Sequence, residues 1–143
     1  LKRTGVSGGS AVALADLPMA MTAHVLYTAL DEKRMATLSP AAITLIREEI
    51  GFKGLLMSDD LSMKALGGDF TTRARNVLEA GCDVVLHCNG DMAEMRSVAE
   101  GLAPLEGESL ARAEKAASTI CPAATFDVAS ARNEVERLLA KAA

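Results

Sequence analysis

Two adjacent carboxylates stand where an apolar run ends. The stretch GLLMSDDLSM, residues 54–63, places Asp59 and Asp60 directly after GLLMS. A carboxylate at the end of a buried strand can act as a nucleophile, a general base or a metal ligand. It can also cap the following helix or accept backbone N–H groups in a turn. Asp60, followed by LSMKAL, fits the structural role, whereas Asp59 fits a structural and a chemical role equally well.

Polar residues also occur at the ends of two other apolar runs. Residues 17–25, 54–58 and 82–88 are continuous apolar runs, the pattern of strands buried on both faces. Because parallel α/β folds bind ligands at the carboxyl ends of their strands, polar groups there predict the rim of an active site. These groups are Thr22 and His24 in the first run, Ser58, Asp59 and Asp60 after the second, and His87, Cys88 and Asn89 after the third.

The chain has two histidines, and each allows a chemical hypothesis. His24, in MTAHV, is at a position where a histidine is more often a hydrogen-bonded structural residue than a catalyst. His87 precedes Cys88 and suggests a Cys–His nucleophile. Because residues adjacent along a strand point to opposite faces, however, these two side chains are not expected to pair.

The elements that position these residues alternate along the chain. Helix-length segments separate the apolar runs, and the order β-α-β-α-β-α-α-α predicts an α/β fold with a parallel sheet and right-handed crossovers. Three strands are fewer than the eight of a (β/α)₈ barrel or the five or six of an open doubly wound sheet. The chain, which starts at Leu1, is therefore expected to be the C-terminal part of a larger domain, with an atypical segment at 1–14 and the domain portion at 15–143.

Capping residues predict where the helices begin and end. Ser39 and Pro40 predict the start of the first helix, and Gly51 its end. Five methionines are expected to pack in the core, namely Met19, Met21, Met57, Met92 and Met95. The remaining boundaries are Thr71 or Thr72 and Gly81 for the second helix, Asp91 as N-cap of the third, and two further helices near 109–120 and 128–142.

Composition excludes several classes of protein. The formal net charge of −4 argues against nucleic-acid binding, which needs clustered lysine and arginine. Asp16, His24 and Asp31 interrupt the longest apolar stretch, so no membrane span is expected. The three cysteines form no zinc spacing and are expected to be buried free thiols in a reducing compartment. No Gly-rich phosphate loop of standard spacing is present, and no cofactor is predicted.

A magnesium site is a competing interpretation of Asp59 and Asp60, as in receiver-like or phosphatase-like folds. Such folds need a further carboxylate and a lysine at neighbouring strand ends. Asp91 is the one nearby candidate carboxylate, and none of the three predicted strands ends in lysine.

Four stretches together resemble a known family. DLPMAMTAHV, ATLSP, GFKGLLMSDDLSM and AGCDVVLHCNGD are similar to the β-N-acetylhexosaminidases of glycoside hydrolase family 3, and more narrowly to bacterial cytoplasmic enzymes of cell-wall recycling. The resemblance runs from about residue 16 to residue 115, and S-D-D-L-S-M is its most specific element.

The resemblance implies a fold, a reaction and roles for two residues. It implies that this α/β chain is the C-terminal portion of a (β/α)₈ TIM-type barrel, ending in extra helices, and that the reaction retains configuration through a covalent glycosyl-enzyme intermediate. Asp59 would be the catalytic nucleophile, and His24 would line the substrate pocket. The implied substrate is a terminal N-acetylglucosamine β-linked to an anhydro-muramoyl peptide, hydrolysed in the cytoplasm without a metal or cofactor.

The same resemblance implies a general acid that these residues do not supply. In the family a histidine on a mobile loop follows a lysine-histidine-x-proline-glycine-histidine-glycine motif, which is absent from the 143 residues. The chain is therefore expected to carry the nucleophile and not the acid. The alternative to an enzyme is a non-catalytic half-barrel that exposes sheet edges and apolar helix faces, and that self-associates or needs a missing N-terminal half.

Overall fold

The computed structural model describes residues 14–121 and 125–142, so the predicted atypical segment 1–14 lies almost wholly outside the described residues. The observed order of elements confirms the predicted alternation of strands and helices. No helix in the described ranges is long and apolar enough to cross a membrane. The elements are β1 Met19–Met21, a 3₁₀ turn Ala36–Leu38, α1 Pro40–Thr44 with a π-helical continuation Leu45–Glu49, β2 Leu55–Asp60, α2 Phe70–Ala80, β3 Val84–Leu86, α3 Met92–Glu100, α4 Gly107–Ala117 and α5 Val128–Ala142.

The three strands form the predicted parallel sheet, and their order in it is β1-β2-β3. Their lengths differ from the prediction. β1 and β3 are each three residues long, because a strand persists only where a neighbour pairs with it. β2 is longer and extends to Asp60, so both aspartates belong to the strand instead of following it.

Burial on both faces, the predicted pattern, holds at the start of β2, where the adjacent Leu55 and Leu56 are both buried. It does not hold for β1 and β3, which contain no buried residue, so the sheet meets the hydrophobic core mainly at β2. Leu56, Leu61 and Val77 are among the fully buried side chains of this core. Met19 and Met21 of β1 remain 44% and 55% exposed, and Met92 and Met95 of α3 are also exposed. The prediction that these methionines pack in the core is therefore wrong.

Local capping chemistry confirms most of the predicted boundaries. The Ser39 hydroxyl accepts the Ala42 N–H, with Pro40 at the first helical position. Gly81 ends α2 in the left-handed region, with φ of 108°, which a residue with a Cβ rarely adopts. The N-cap of α2 corrects the prediction of Thr71 or Thr72, because Asp69 accepts the Thr72 N–H at 2.7 Å.

Close packing of β1 on β2 depends on Gly54. A Cβ at this position would lie 2.5 Å from the Leu17 carbonyl oxygen and 2.7 Å from that of Pro18. Backbone atoms cannot yield as a flexible side chain can, so any side chain here would push β1 away from β2.

A buried carboxylate, Asp83, joins four elements at the end of the sheet where the strands begin. Its Oδ2 accepts the Leu56 N–H of β2 at 2.8 Å and Arg47 Nη2 from the π-helical continuation at 2.6 Å. Its Oδ1 accepts the Ser109 hydroxyl at 2.7 Å and Arg112 Nη1 at 2.8 Å, both from α4. Asp83 therefore connects the chain leading into β3 with β2, with α4 and with the segment that follows α1.

These contacts set the protonation behaviour of Asp83. Burial alone would raise the pKa of this carboxyl, but hydrogen bonds from Leu56, Ser109 and Arg112, together with the Arg47 charge, hold the pKa below its usual 3.8. A carboxyl whose pKa is lowered on folding stabilises the native state above its unfolded pKa. That contribution is lost as the pH falls through the folded-state value.

We expect Asp83→Asn to lower the free energy of unfolding at pH 7 by roughly 2–4 kcal/mol, because it leaves two arginines without their carboxylate. The difference from the wild-type chain should shrink as the pH falls below 3.8 and through the lowered folded-state pKa, below which the carboxyl of the native wild type is also neutral. Urea unfolding followed by circular dichroism at several pH values measures both effects.

Asp127→Asn is the matched control, because the exposed Asp127 accepts the N–H groups of Ala129 and Ser130 and asparagine caps helices equally well. Equal stability of the Asp83→Asn variant and the wild type at pH 7 would contradict the role given to this carboxylate.

Candidate active site

Asp59 lies at the carboxyl end of the central strand and keeps most of its hydrogen-bonding capacity. Its half-buried side chain accepts the Asp60 N–H at Oδ1, at 2.8 Å, and no other hydrogen bond to it occurs within the described ranges. A carboxylate has about four acceptor sites. Asp59 can therefore accept further donors or present an anionic oxygen to a ligand.

Asp60 differs from its neighbour because the fold occupies its carboxylate. Oδ1 accepts the N–H groups of Ser62 at 2.9 Å and Cys88 at 3.1 Å, and Oδ2 accepts the Ser62 hydroxyl. Burial would raise its pKa, but the bonds from Ser62 and Cys88 outweigh burial and lower it. Turns, not a helix, follow β2, so the structural role predicted for Asp60 takes the form of a turn.

The ring of His24 joins the segment after β1 to the end of β2. Nε2 lies 3.0 Å from the Asp60 carbonyl oxygen, and Nδ1 lies 2.9 Å from the Thr37 hydroxyl. A carbonyl can only accept, so in the neutral ring Nε2 carries the hydrogen and Nδ1 accepts from Thr37. The Thr37 oxygen in turn lies 2.9 Å from the Thr22 hydroxyl. Both ring nitrogens are thus used by the protein, and substrate contact by His24 stays a prediction.

Ser58 links β2 to β3 next to the two aspartates. Its fully buried hydroxyl accepts the Leu86 N–H at 2.9 Å. Met57 pairs with Val84 and Asp60 pairs with Leu86, so β2 uses one residue more than β3 in this interval. Such a bulge redirects the side chains next to it. Sequence reasoning placed Ser58 on the rim but missed this bond, and it missed Thr37, which carries no local signal of its role.

His87 and Cys88 point to different environments, in agreement with the expectation that they do not pair. The His87 side chain is 5% exposed and its ring centroid lies 5.2 Å from that of Phe70. Cys88 is exposed.

The magnesium interpretation finds no third ligand among the described residues. Asp91 caps α3 by accepting the N–H groups of Ala93 and Glu94. Residues 14–121 and 125–142 contain no group of three or more histidine, cysteine, aspartate or glutamate side chains that could hold a metal ion.

Comparison with known proteins identifies the family of this chain. The sequence matches the glycosyl hydrolase family 3 N terminal domain over residues 8–121, well over half of the chain. The chain belongs to glycosyl hydrolase family 3.

The two curated relatives described next are both beta-hexosaminidases. A beta-hexosaminidase of Alkalilimnicola ehrlichii is 49% identical over 76 residues, which is 51% of this chain and 22% of that protein. A beta-hexosaminidase of Methylobacillus flagellatus is 39% identical over 94 residues, 64% of this chain and 27% of that protein. The chain thus spans about a quarter of the length of these relatives.

Solved structures of the family share the fold over most of the chain. A β-N-acetylglucosaminidase of glycoside hydrolase family 3 from Paenibacillus superposes with a TM-score of 0.58 at 26% identity, covering 78% of this chain and 24% of the other. Native NagZ from Neisseria gonorrhoeae superposes with a TM-score of 0.57 at 33% identity, covering 68% of this chain and 27% of the other.

The cysteines partly correct the expectation of buried thiols. Cys82 is buried, and burial raises the pKa of its thiol to about 11. Cys88 and Cys121 are exposed, and all three are free.

We expect Ellman's reagent to label two thiols promptly in the native chain and the third only after unfolding, because Cys82 is inaccessible and protonated at neutral pH. Cys82→Ala should leave the number of prompt thiols at two, whereas Cys88→Ser should reduce it to one. Prompt labelling of Cys82 in the native chain would contradict the assigned burial.

Proposed function

We propose that this chain carries the nucleophile of a retaining β-N-acetylhexosaminidase and that Asp59 is that nucleophile. One observation supports the choice above all others: of the two adjacent carboxylates, Asp60 is occupied by the turn and Asp59 is half-exposed with one bond from the Asp60 N–H. Its position at the carboxyl end of a parallel strand is where this class of fold places its reactive groups.

The proposed reaction needs an anionic oxygen below the anomeric carbon of the sugar. An Asp59 oxygen attacks that carbon, the bond to the leaving oxygen breaks, and an ester joins Asp59 to the sugar. Water then attacks the anomeric carbon of the ester and gives one proton to the group that protonated the leaving oxygen. The sugar is released and the carboxylate of Asp59 is restored. The short side chain on a bonded strand holds the oxygen in place more firmly than a loop residue would.

The leaving oxygen must gain a proton, and the proposal assigns that step to a group outside this arrangement. His24 uses both ring nitrogens within the protein, and His87 is buried. With the histidine loop motif of the family absent from the sequence, we propose that the general acid comes from another part of a complete (β/α)₈ barrel.

The proposed substrate is a terminal β-linked N-acetylglucosamine, in keeping with the beta-hexosaminidase and β-N-acetylglucosaminidase names of the relatives. The finer assignment, to an anhydro-muramoyl peptide from peptidoglycan hydrolysed in the cytoplasm, follows from the resemblance of DLPMAMTAHV and SDDLSM to cell-wall recycling enzymes.

A glycosyl donor whose leaving group needs no proton tests the nucleophile without the acid. We expect 2,4-dinitrophenyl N-acetyl-β-glucosaminide to form an adduct on the peptide 54–64, and mass spectrometric fragmentation to place it on Asp59. Asp59→Ala should abolish the adduct, and Asp59→Asn should not restore it, because a neutral amide lacks the anionic oxygen.

Two comparisons make the test specific. Asp127→Asn, an Asp→Asn change far along the chain, should label as the wild type does. An adduct on Asp60 or elsewhere, or labelling that survives in Asp59→Ala, would contradict the assignment. Turnover of 4-nitrophenyl N-acetyl-β-glucosaminide, whose leaving group is poorer, reports separately whether a proton donor is present.

A non-catalytic half-barrel that self-associates is the second candidate, favoured by the exposed apolar side chains. Met19 and Met21 lie exposed on β1, which pairs with a described strand on one side only. Val25, Leu26 and Tyr27 follow them and are exposed as well. An unpaired strand edge beside exposed apolar surface favours association.

We expect sedimentation equilibrium to give a mass that rises with concentration, and Met21→Lys to shift the chain toward the monomer, because a lysine blunts a strand edge. Lys53→Met, at an exposed site outside β1, is the control and should not shift it. A compact monomer at every concentration would contradict this second candidate.

A further inference from the structure

His87 is the most unusual polar side chain of the described residues. It is 5% exposed, and neither ring nitrogen has a hydrogen-bond partner of good geometry there. Buried polar atoms normally have hydrogen-bond partners, so two buried ring nitrogens without one need an explanation. The function proposed above makes no use of this residue.

Carboxylates lie at both ends of the ring. Nε2 is 3.2 Å from Glu94 Oε2 on α3, and Nδ1 is 3.7 Å from Asp60 Oδ1 on β2. The first distance is within the range of an N–H···O bond, and the second exceeds that range by about 0.5 Å. Each ring nitrogen therefore has one carboxylate oxygen at, or about 0.5 Å beyond, the distance of an N–H···O bond.

The number of N–H donors on the His87 ring decides whether the neutral or the protonated imidazole fits between the two carboxylates. Carboxylates only accept hydrogen bonds, and a neutral imidazole has one N–H. A neutral His87 would turn a bare nitrogen toward one of the two carboxylates, whereas an imidazolium can donate to both. The remaining neighbours offer the ring no further acceptor. The Asn89 side-chain amide donates to the same Glu94 Oε2. Phe70 of α2 presents its ring, and the Arg73 guanidinium lies on that ring, 4.9 Å from its centroid.

The link reaches the proposed nucleophile through Asp60. The Asp60 N–H donates to Asp59 Oδ1 at 2.8 Å, while the Asp60 carboxylate accepts the Cys88 N–H from the segment after β3. A contact that fixes the Asp60 carboxylate therefore also restrains the Asp60 backbone N–H, which donates to Asp59. Burial behind Phe70 keeps His87 itself from acting as a proton donor to substrate.

We propose that His87 is a positioning residue of the nucleophile strand. As an imidazolium it binds Asp60 and Glu94 together and thereby fixes the Asp60 amide that donates to Asp59. The catalytic meaning of this role rests on the proposed function of Asp59, but the link itself can be tested without turnover.

The two histidines allow the test within one chain. In the ¹⁵N-labelled 143-residue chain at pH 7, we expect the ring of His87 to show two protonated nitrogens. His24 is the internal comparison, because its neutral ring carries the hydrogen on Nε2. His87→Phe assigns the signals, because it keeps an aromatic ring against Phe70 and removes both nitrogens. A neutral ring at His87 with one N–H would overturn the proposal.

Hydrogen exchange then measures the positioning. In His87→Phe we expect the amides of Asp60 and Cys88 to exchange about tenfold faster, the scale of one lost hydrogen bond to a charged group. The Leu56 amide, bound to Asp83 at the far end of β2, should keep its rate. Cys88→Ser, which alters an exposed neighbouring side chain, should leave all three rates unchanged.

The outcomes separate the two proposals. Unchanged protection of the Asp60 amide in His87→Phe would show that the ring only packs, and would overturn the positioning role. Failure of the adduct on Asp59, with the imidazolium and the exchange effect present, would remove the proposed function and leave the link between the two carboxylates in place.

Discussion

The fold depends on one buried carboxylate. Asp83 accepts four hydrogen bonds, from Leu56, Ser109 and two arginines, and these partners come from three separate stretches of the chain. Without those donors a carboxylate this deeply buried would be costly, and with them it links the sheet to the helices packed on it. The network lies where the strands begin, so it stabilises the end of the sheet opposite the aspartates and needs nothing from the reactive end.

This separation lets the other end of the sheet retain polar groups that are not saturated. At the carboxyl ends of β2 and β3 the protein uses Ser58, Asp60 and His24 to hold backbone groups, and leaves Asp59 with one bond. Two chemically identical neighbours thus have different environments. The difference arises from what the flanking segments donate, since Ser62 and Cys88 both turn their N–H groups toward Asp60.

Local signals in the sequence predicted local structure well. The cap at Ser39, the end of α2 at Gly81 and the parallel pairing of the strands depend on neighbouring residues or on alternation, and all are confirmed. Strand lengths and exposed faces were mispredicted because they depend on which elements cover a surface. Asp83 was not singled out, since its arginine partners are 36 and 29 residues away and nothing in GCDVV indicates them.

The bulge between β2 and β3 makes this part of the chain sensitive to the deletion of a residue. β2 contributes one residue more than β3 between Met57 and Asp60. The direction of the Asp59 side chain therefore depends on the number of residues in this segment as well as on their identity. In-frame loss of a single codon here would remove the extra residue and turn the side chains beyond it to the opposite face. A one-codon deletion before Asp59 would bring Asp60 into the place that Asp59 now occupies, a rearrangement that no single substitution along this stretch produces.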